Sequence, residues 1–452
     1  MEMAHEHPGG NHNAALQSHA HAHEPRTLPA VLTVPEAVGV YRMRALIAAV
    51  IFGLLSLIFL VPGIVMGREH LLRAYLMGYM TCFNLCGGAF ALLMVQYVSG
   101  GKWGLVLRRP LEAMTRTFPF LVAGLLPILF CMKHLYQWAA FTTPAATLKA
   151  YHDGLVTNEQ HLDIDAKHAM LSPVSVIVQA VIVFAFMGIV ITLLNNWSMA
   201  RDRDAAAGTV ASFDKWRVRL ENLSGPSILL YVILMTAFVI DFVKSLDVIW
   251  ASSIYGLQFL VAQGYGVLAL GILTLILLSR FEPMKTMFRA TEQHDLGKLA
   301  FAFVMLNMYF TFAEFLIIWS GNIPDELDWY LHRIHGDWWY ICSLDVICHF
   351  VIPFCLLLSR DIKRSKRLMI WIASFMIFAR LIDMFWLIEP NFNDAAGNLH
   401  IVGNVSILAY VTVPLAMVSL WMVYYLTELG KRPLINVNDP HTEELLEPEH
   451  AH

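Results

Sequence analysis

Charge is scarce in this sequence. Of its 452 residues only 15% are Asp, Glu, Lys or Arg, while 57% are hydrophobic; an ordinary soluble domain carries roughly 25% charged residues. That deficit excludes a water-exposed surface over most of the chain. The net charge of -4 leaves no basic excess, so no nucleic-acid partner is expected. Cysteine motifs are lacking too. Cys82, Cys86, Cys131, Cys342, Cys348 and Cys355 all lie in apolar runs, and none forms C-x-x-C or C-x-x-C-H. This argues against a covalent c-type haem, an iron–sulfur cluster or a zinc knuckle, and for small thiols packed between helices. Glycine-rich nucleotide-binding motifs and the His pattern of a copper oxidase site are absent as well. The first 35 residues hold His and Pro but no apolar h-region, so no cleavable signal peptide is expected.

What is present is long apolar segments. A bilayer core of about 30 Å needs roughly 20 apolar residues of helix, and ten stretches qualify: about 46–65, 74–98, 118–138, 174–195, 226–243, 252–278, 299–319, 338–358, 368–388 and 401–425. In lipid every backbone N–H and C=O must be satisfied within its own segment, so each should be a helix. The expected fold class is an all-α polytopic membrane protein of about ten transmembrane helices, with both termini in the cytoplasm of a bacterial inner membrane. Residues 1–40 form a His-rich cytoplasmic tail, 41–430 the membrane domain and 431–452 a second cytoplasmic tail. Val239-Ile240-Asp241-Phe242 in the fifth span resembles Leu381-Ile382-Asp383-Met384 in the ninth. Such an internal echo suggests two four-helix bundles, about 74–243 and 252–388, plus two peripheral helices. The connection 139–173 is acidic, the one around 329–340 is aromatic, and 197–222 is basic and partly amphipathic, suited to the membrane surface.

The basic residues set the orientation. With the N-terminus inside, 23 of the 31 Lys and Arg fall in cytoplasmic segments and 7 in outer ones, Arg380 alone lying within a span. Positive charge stays on the cytoplasmic side. Alkaline phosphatase fused within residues 139–173 should therefore be active, and a cytoplasmic-only reporter silent. The opposite pattern would overturn both the orientation and the count of spans.

Ionisable groups inside apolar runs are costly, by about 3 kcal/mol each on the lenient scales, and tend to be functional. The candidates are Glu314 in the seventh span, Asp345 and His349 in the eighth, Arg380 and Asp383 in the ninth, Asp241 late in the fifth and His134 late in the third. Spacings of i, i+4 and i, i+3 put Asp345 with His349, and Arg380 with Asp383, on single helix faces. Three roles suit them: a helix-locking ion pair, a proton path, or a quinone head-group site, since a quinol hydroxyl needs an acceptor such as Asp, Glu or His. The sharpest expectation is a connected track of Glu314, Asp345, His349 and Asp383, with Arg380 anchoring Asp383 and Glu314 exchanging the proton. A b-type haem is disfavoured because no second mid-membrane His pairs with His349. No metal site and no catalytic residue are expected.

Several extended stretches carry a family resemblance: YMTCFNLCGGAFALLMVQYVSGGKWGLVLRRPLEAMTRTFP, MLNMYFTFAEFLIIWSGNIPDELDWYLHR, HFVIPFCLLLSRDIKR and the tail RPLINVNDPHTEELLEPEHAH. Over residues 45–430 the chain resembles the NrfD/polysulfide-reductase-type membrane subunits. It is most similar to those of alternative complex III, a quinol:cytochrome c oxidoreductase, and closer to the second (ActF-type) of its two ten-span subunits. The resemblance implies a non-catalytic or quinone-interacting subunit that supports quinol oxidation, with a role in assembly or in proton conduction. It implies no cofactor on this chain beyond quinol or quinone. Haem c and iron–sulfur clusters would sit on partners: a related ten-span subunit, an iron–sulfur protein and a multihaem cytochrome c. Lipid is the remaining partner. The alternative is a secondary transporter that uses the same buried charges.

Overall fold

The computed structural model describes residues 32–58, 68–141, 143–204, 210–392 and 405–436. These residues contain helices and no strand, and ten of the helices are long and apolar enough to cross a membrane. The spans run Ala37–Leu57, His70–Ser99, Trp103–Phe130, Pro173–Asp202, Asp214–Leu246, Tyr255–Leu278, Ala290–Gly321, Trp338–Leu358, Lys366–Phe392 and Ala409–Leu429. Leu434 donates its N–H to the carbonyl of Leu32 at 3.1 Å. The two described ends therefore lie on one side of the molecule, as an even number of crossings requires.

Local chemistry starts and stops these helices. Ser172 caps the fourth span by accepting from Ser175 N–H, with Pro173 in the first turn, where its missing N–H costs nothing. Asn322 ends the seventh span in the left-handed conformation at φ 48°. Gly100 and Gly101, at φ 64° and 96°, reverse the chain between the second and third spans, where a side chain would be strained.

The second span packs on the third and fifth, and the fourth on the third and fifth. The sixth packs on the seventh and ninth, and the eighth on both of these, so the second to fifth spans form a first ring of helices and the sixth to ninth a second. The tenth lies against the second and carries the first. The second and sixth spans touch each other at the centre, with 89% and 83% of their apolar stretches buried, against 6% for the first. Gly88 permits their contact: a Cβ there would lie 2.6 Å from the carbonyl oxygen of Gln263.

Several boundaries differ from those the sequence suggested. The first helix begins at Ala37 rather than near 46, and residues 59–67 lie outside the described part. Arg42 and Arg44 ride exposed on its first turns, a place where charge does not interrupt a helix but does hide it from an apolar average. The third span gains the helix Lys102–Thr115, Arg108 and Arg109 included. Residues 197–202 and 210–222 form no separate surface helix but belong to the helices of the fourth and fifth spans, Pro173–Asp202 and Val210–Phe242. The acidic connection contains helices Pro144–His152 and Asn158–Lys167, and the aromatic one contains Pro324–Ile334. Residues 431–436 are not free tail, since Leu434, Ile435 and Asn436 are buried. The His-rich segments before residue 32 and after 436 lie outside the described residues.

Arg333 fixes the connection between the seventh and eighth spans. It is 1% exposed and lies 3.6 Å from the centroid of the Trp329 ring, which itself stacks on Trp250 at 4.2 Å. Its guanidinium donates to the carbonyls of Trp329 and Leu387 and to Asn391 Oδ1. Burial pushes its pKa down to about 9, so it remains charged at neutral pH, held by the ring faces and oxygens around it.

Candidate functional site

The eighth span is not α-helical throughout. Val346–Val351 is a π-helix, flanked by Trp338–Asp345 and Ile352–Leu358. Pro353 has no N–H to give to the carbonyl of His349, four residues earlier, which loosens the α pattern at that point. His349, 6% exposed, lies within the π turn. Its ring packs edge-on against Tyr265, with centroids 4.3 Å apart, and Nδ1 lies 3.5 Å from Asn307 Nδ2.

Here the expected groups converge. One ligand-type atom from each of Asp345, His349 and Asp383 lies within 4.8 Å of the other two. Asp383 is ion-paired with Arg380, one turn before it. Arg380 also reaches across to the second span. With the Asn84 amide oxygen turned to the guanidinium, Nη2 and Nε donate to it at 2.8 and 3.1 Å. Asp345 is within electrostatic reach of the same guanidinium. Two carboxylates thus face a single fixed cation. His349 Nε2 and Asp345 Oδ1 are buried with no hydrogen-bond partner among the described residues. A cavity of about 20 Å³ beside Arg380 and Asp383 is lined by Gln258, Asn307 and Thr311, enough for a water molecule. A His nitrogen with two carboxylates suits a divalent ion in kind, but Arg380 already holds Asp383.

Glu314 is buried yet stands apart from that group. Its carboxylate is bonded by the Ser252 hydroxyl, whose oxygen in turn accepts from Tyr255 N–H at the start of the sixth span. Tyr255 is the link, being within electrostatic reach of both Glu314 and Arg380 and lining the small cavity. Asp241 is fully buried in the first ring of helices, beside Tyr136, and neither carboxylate oxygen has a hydrogen-bond partner among the described residues. His134 departs from expectation. The third span ends at Phe130, and His134 sits beyond it, exposed, in the short helix Met132–Leu135.

Two buried ionic clusters were not anticipated. At the end of the molecule where residues 32 and 434 meet, Glu112 accepts from Arg109 Nη1 and Ser198 Oγ, both at 2.6 Å, and lies 3.5 Å from Arg432 Nη1. Arg109 also pairs with Asp202, and Arg116 with Glu428, so the third, fourth and tenth spans are tied together. The Arg109, Glu112, Arg116 spacing was the available signal, because it puts all three on one helix face. At the other end Glu389, 1% exposed, accepts from the Tyr410 hydroxyl at 2.6 Å and from Arg73 at 3.3 Å. His70 Nδ1 lies 2.8 Å from the Tyr410 oxygen.

No family model and no curated protein matches the chain. Fold and site together define a ten-span α-helical membrane protein that encloses a compact ionic cluster.

Proposed function

We propose that the chain is a membrane subunit of a respiratory quinol:cytochrome c oxidoreductase of the alternative complex III kind, and that its second ring of helices conducts protons while partner subunits carry the electrons. The resemblance of its extended sequence runs supports the family. The meeting of Asp345, His349 and Asp383 around one guanidinium supports the proton role. Two carboxylates against one cation leave room for one more positive charge, and burial in a bilayer makes an uncompensated charge expensive. A water-sized cavity of about 20 Å³ beside Arg380 and Asp383 has room for a water molecule that could relay a proton, and none for an organic solute. Tyr255 extends the cluster towards Glu314, and the orphaned atoms of His349 and Asp345 give the proton places to rest. Haem c and iron–sulfur clusters belong to the partners in this proposal, and quinol is oxidised where this chain meets them.

The test uses Asp345→Asn, which keeps the Arg380–Asp383 pair intact. A complex captured through a tag on this chain should contain cytochrome c and iron–sulfur subunits. The variant should assemble normally, while quinol-driven proton movement in vesicles falls at least about tenfold, the scale of a lost proton-transfer group. Glu314→Gln, one side chain removed from the cluster, should have the smaller effect. Capture of the chain without any redox partner, or unchanged proton movement in Asp345→Asn, would defeat the proposal.

A further inference from the structure

The first span is attached to the rest of the molecule chiefly through the tenth, and their seam is incompletely filled. Two cavities follow one another along it. A cavity of about 580 Å³ lies beside the apolar stretch of the first span, walled by Ala49, Gly53 and Leu57 on one side and by Gly124, Ala416 and Leu420 on the other. A second, of about 450 Å³, lies at the helix start, where Arg42 and Lys431 face it together with Glu36. Each is far larger than a water-sized void, and the apolar one lies among the apolar lengths of the first, second, third and tenth spans.

The polarity of the seam is one-ended. The long cavity is apolar, and among the described residues lining the two cavities the cations, Arg42 and Lys431, are at its terminal neighbour. Lys431 is engaged by Glu428 at 2.5 Å. Arg42 is exposed and has no ion-pair partner among the described residues. From Arg42 to Leu57 is about 22 Å of helix at 1.5 Å per residue, somewhat more than the roughly 15 Å that one leaflet contributes to the hydrocarbon core. An extended acyl chain beginning at Arg42 would therefore run the length of the groove.

We propose that this seam is a binding site for one anionic phospholipid, its phosphate at Arg42 beside the Lys431–Glu428 pair and one acyl chain laid along Ala49, Gly53 and Leu57 against the tenth span. Basic ends of clefts between membrane helices select acidic head groups. A quinone tail would fill the apolar part equally well but would leave the cation at the mouth unanswered. The proposal is independent of proton conduction and does not use the ionic cluster of the second ring.

The full-length chain, extracted from its native membrane and exchanged through a lipid-free detergent, should retain about one anionic phospholipid per chain by native mass spectrometry and lipid extraction. Gly53→Leu is the clean obstruction, because a Cβ at Gly53 meets nothing within 4 Å. The new side chain enters the groove without displacing a neighbour, and the lipid should be lost. Arg42→Glu lies on an exposed surface and should leave folding intact while weakening retention of anionic lipid by about tenfold or more, as expected for reversing one charge at the head group. Readdition of vesicles of phosphatidylglycerol, but not of phosphatidylcholine, should restore the wild-type complex. Retention of no lipid, equal retention of neutral phospholipid, a quinone in its place, or lipid retention unaffected by both substitutions would each overturn the proposal.

Discussion

Arg380→Met should be among the most damaging single changes in the second ring, lowering stability by about 3–5 kcal/mol, the range for removing one partner of a buried ion pair. The reason is what it leaves behind. Asp383 is 8% exposed and loses its cation, Asn84 loses the guanidinium it accepts from, and Asp345 loses the one cation among the described residues that acts on it. Arg380→Met combined with Asp383→Leu removes both charges of the pair and should recover most of the loss, since apolar replacements of a buried pair are often neutral. Recovery should be incomplete, because Asn84 and Asp345 remain. Unfolding of the three proteins in detergent, followed by intrinsic fluorescence, gives the comparison. A double variant no more stable than Arg380→Met would show that the cluster is not organised around this pair.

The second large effect is expected at the opposite end. Glu112 is fully buried and binds Arg109, Ser198 and Arg432, with the Tyr97 hydroxyl 3.3 Å away. Glu112→Leu should cost about 3–5 kcal/mol by the same logic of stranded buried charge. The loss is specific in place: Arg432 would keep only its contacts to Asn195, so residues 430–436 should exchange their amide hydrogens faster while the helices of the second ring do not change. Glu112→Gln keeps an acceptor for Ser198 and should fall between the two. If exchange in 430–436 were the same in Glu112→Leu as in the wild type, Glu112 would not be what holds that segment down.

Both clusters bear on what the sequence could disclose. The ten helices were legible because a run of about 20 apolar residues has few other fates. Asp345, His349, Arg380 and Asp383 were legible for the complementary reason, since each interrupts such a run at a helical spacing. His134 was overvalued: an apolar average carried the third span past Phe130, where the helix ends. Glu112 and Glu389 were missed by the reverse error. The first lies among arginines and so looked like loop. The second lies one residue past the apparent end of the ninth span, although the helical path continues to Phe392. Apolar length finds the middle of a membrane helix and is blind to charged turns buried by their neighbours. Nor could it reveal that Tyr255 lies within electrostatic reach of both Glu314 and Arg380, because which side chain stands between two helices depends on packing.

The π turn at Val346–Val351 has a mechanical consequence. Such a turn stores one residue more than an α-helix needs, and that surplus can pass along the helix without the chain being cut from its neighbours. Each residue it passes turns by about 100° around the axis. Rewinding 346–351 as α-helix would swing His349 away from Asp383 while Asp345, before the surplus, kept its heading. Between Arg333, which clamps the connection at one end, and Pro353, which interrupts the ladder at the other, this short stretch is where the eighth span can change register.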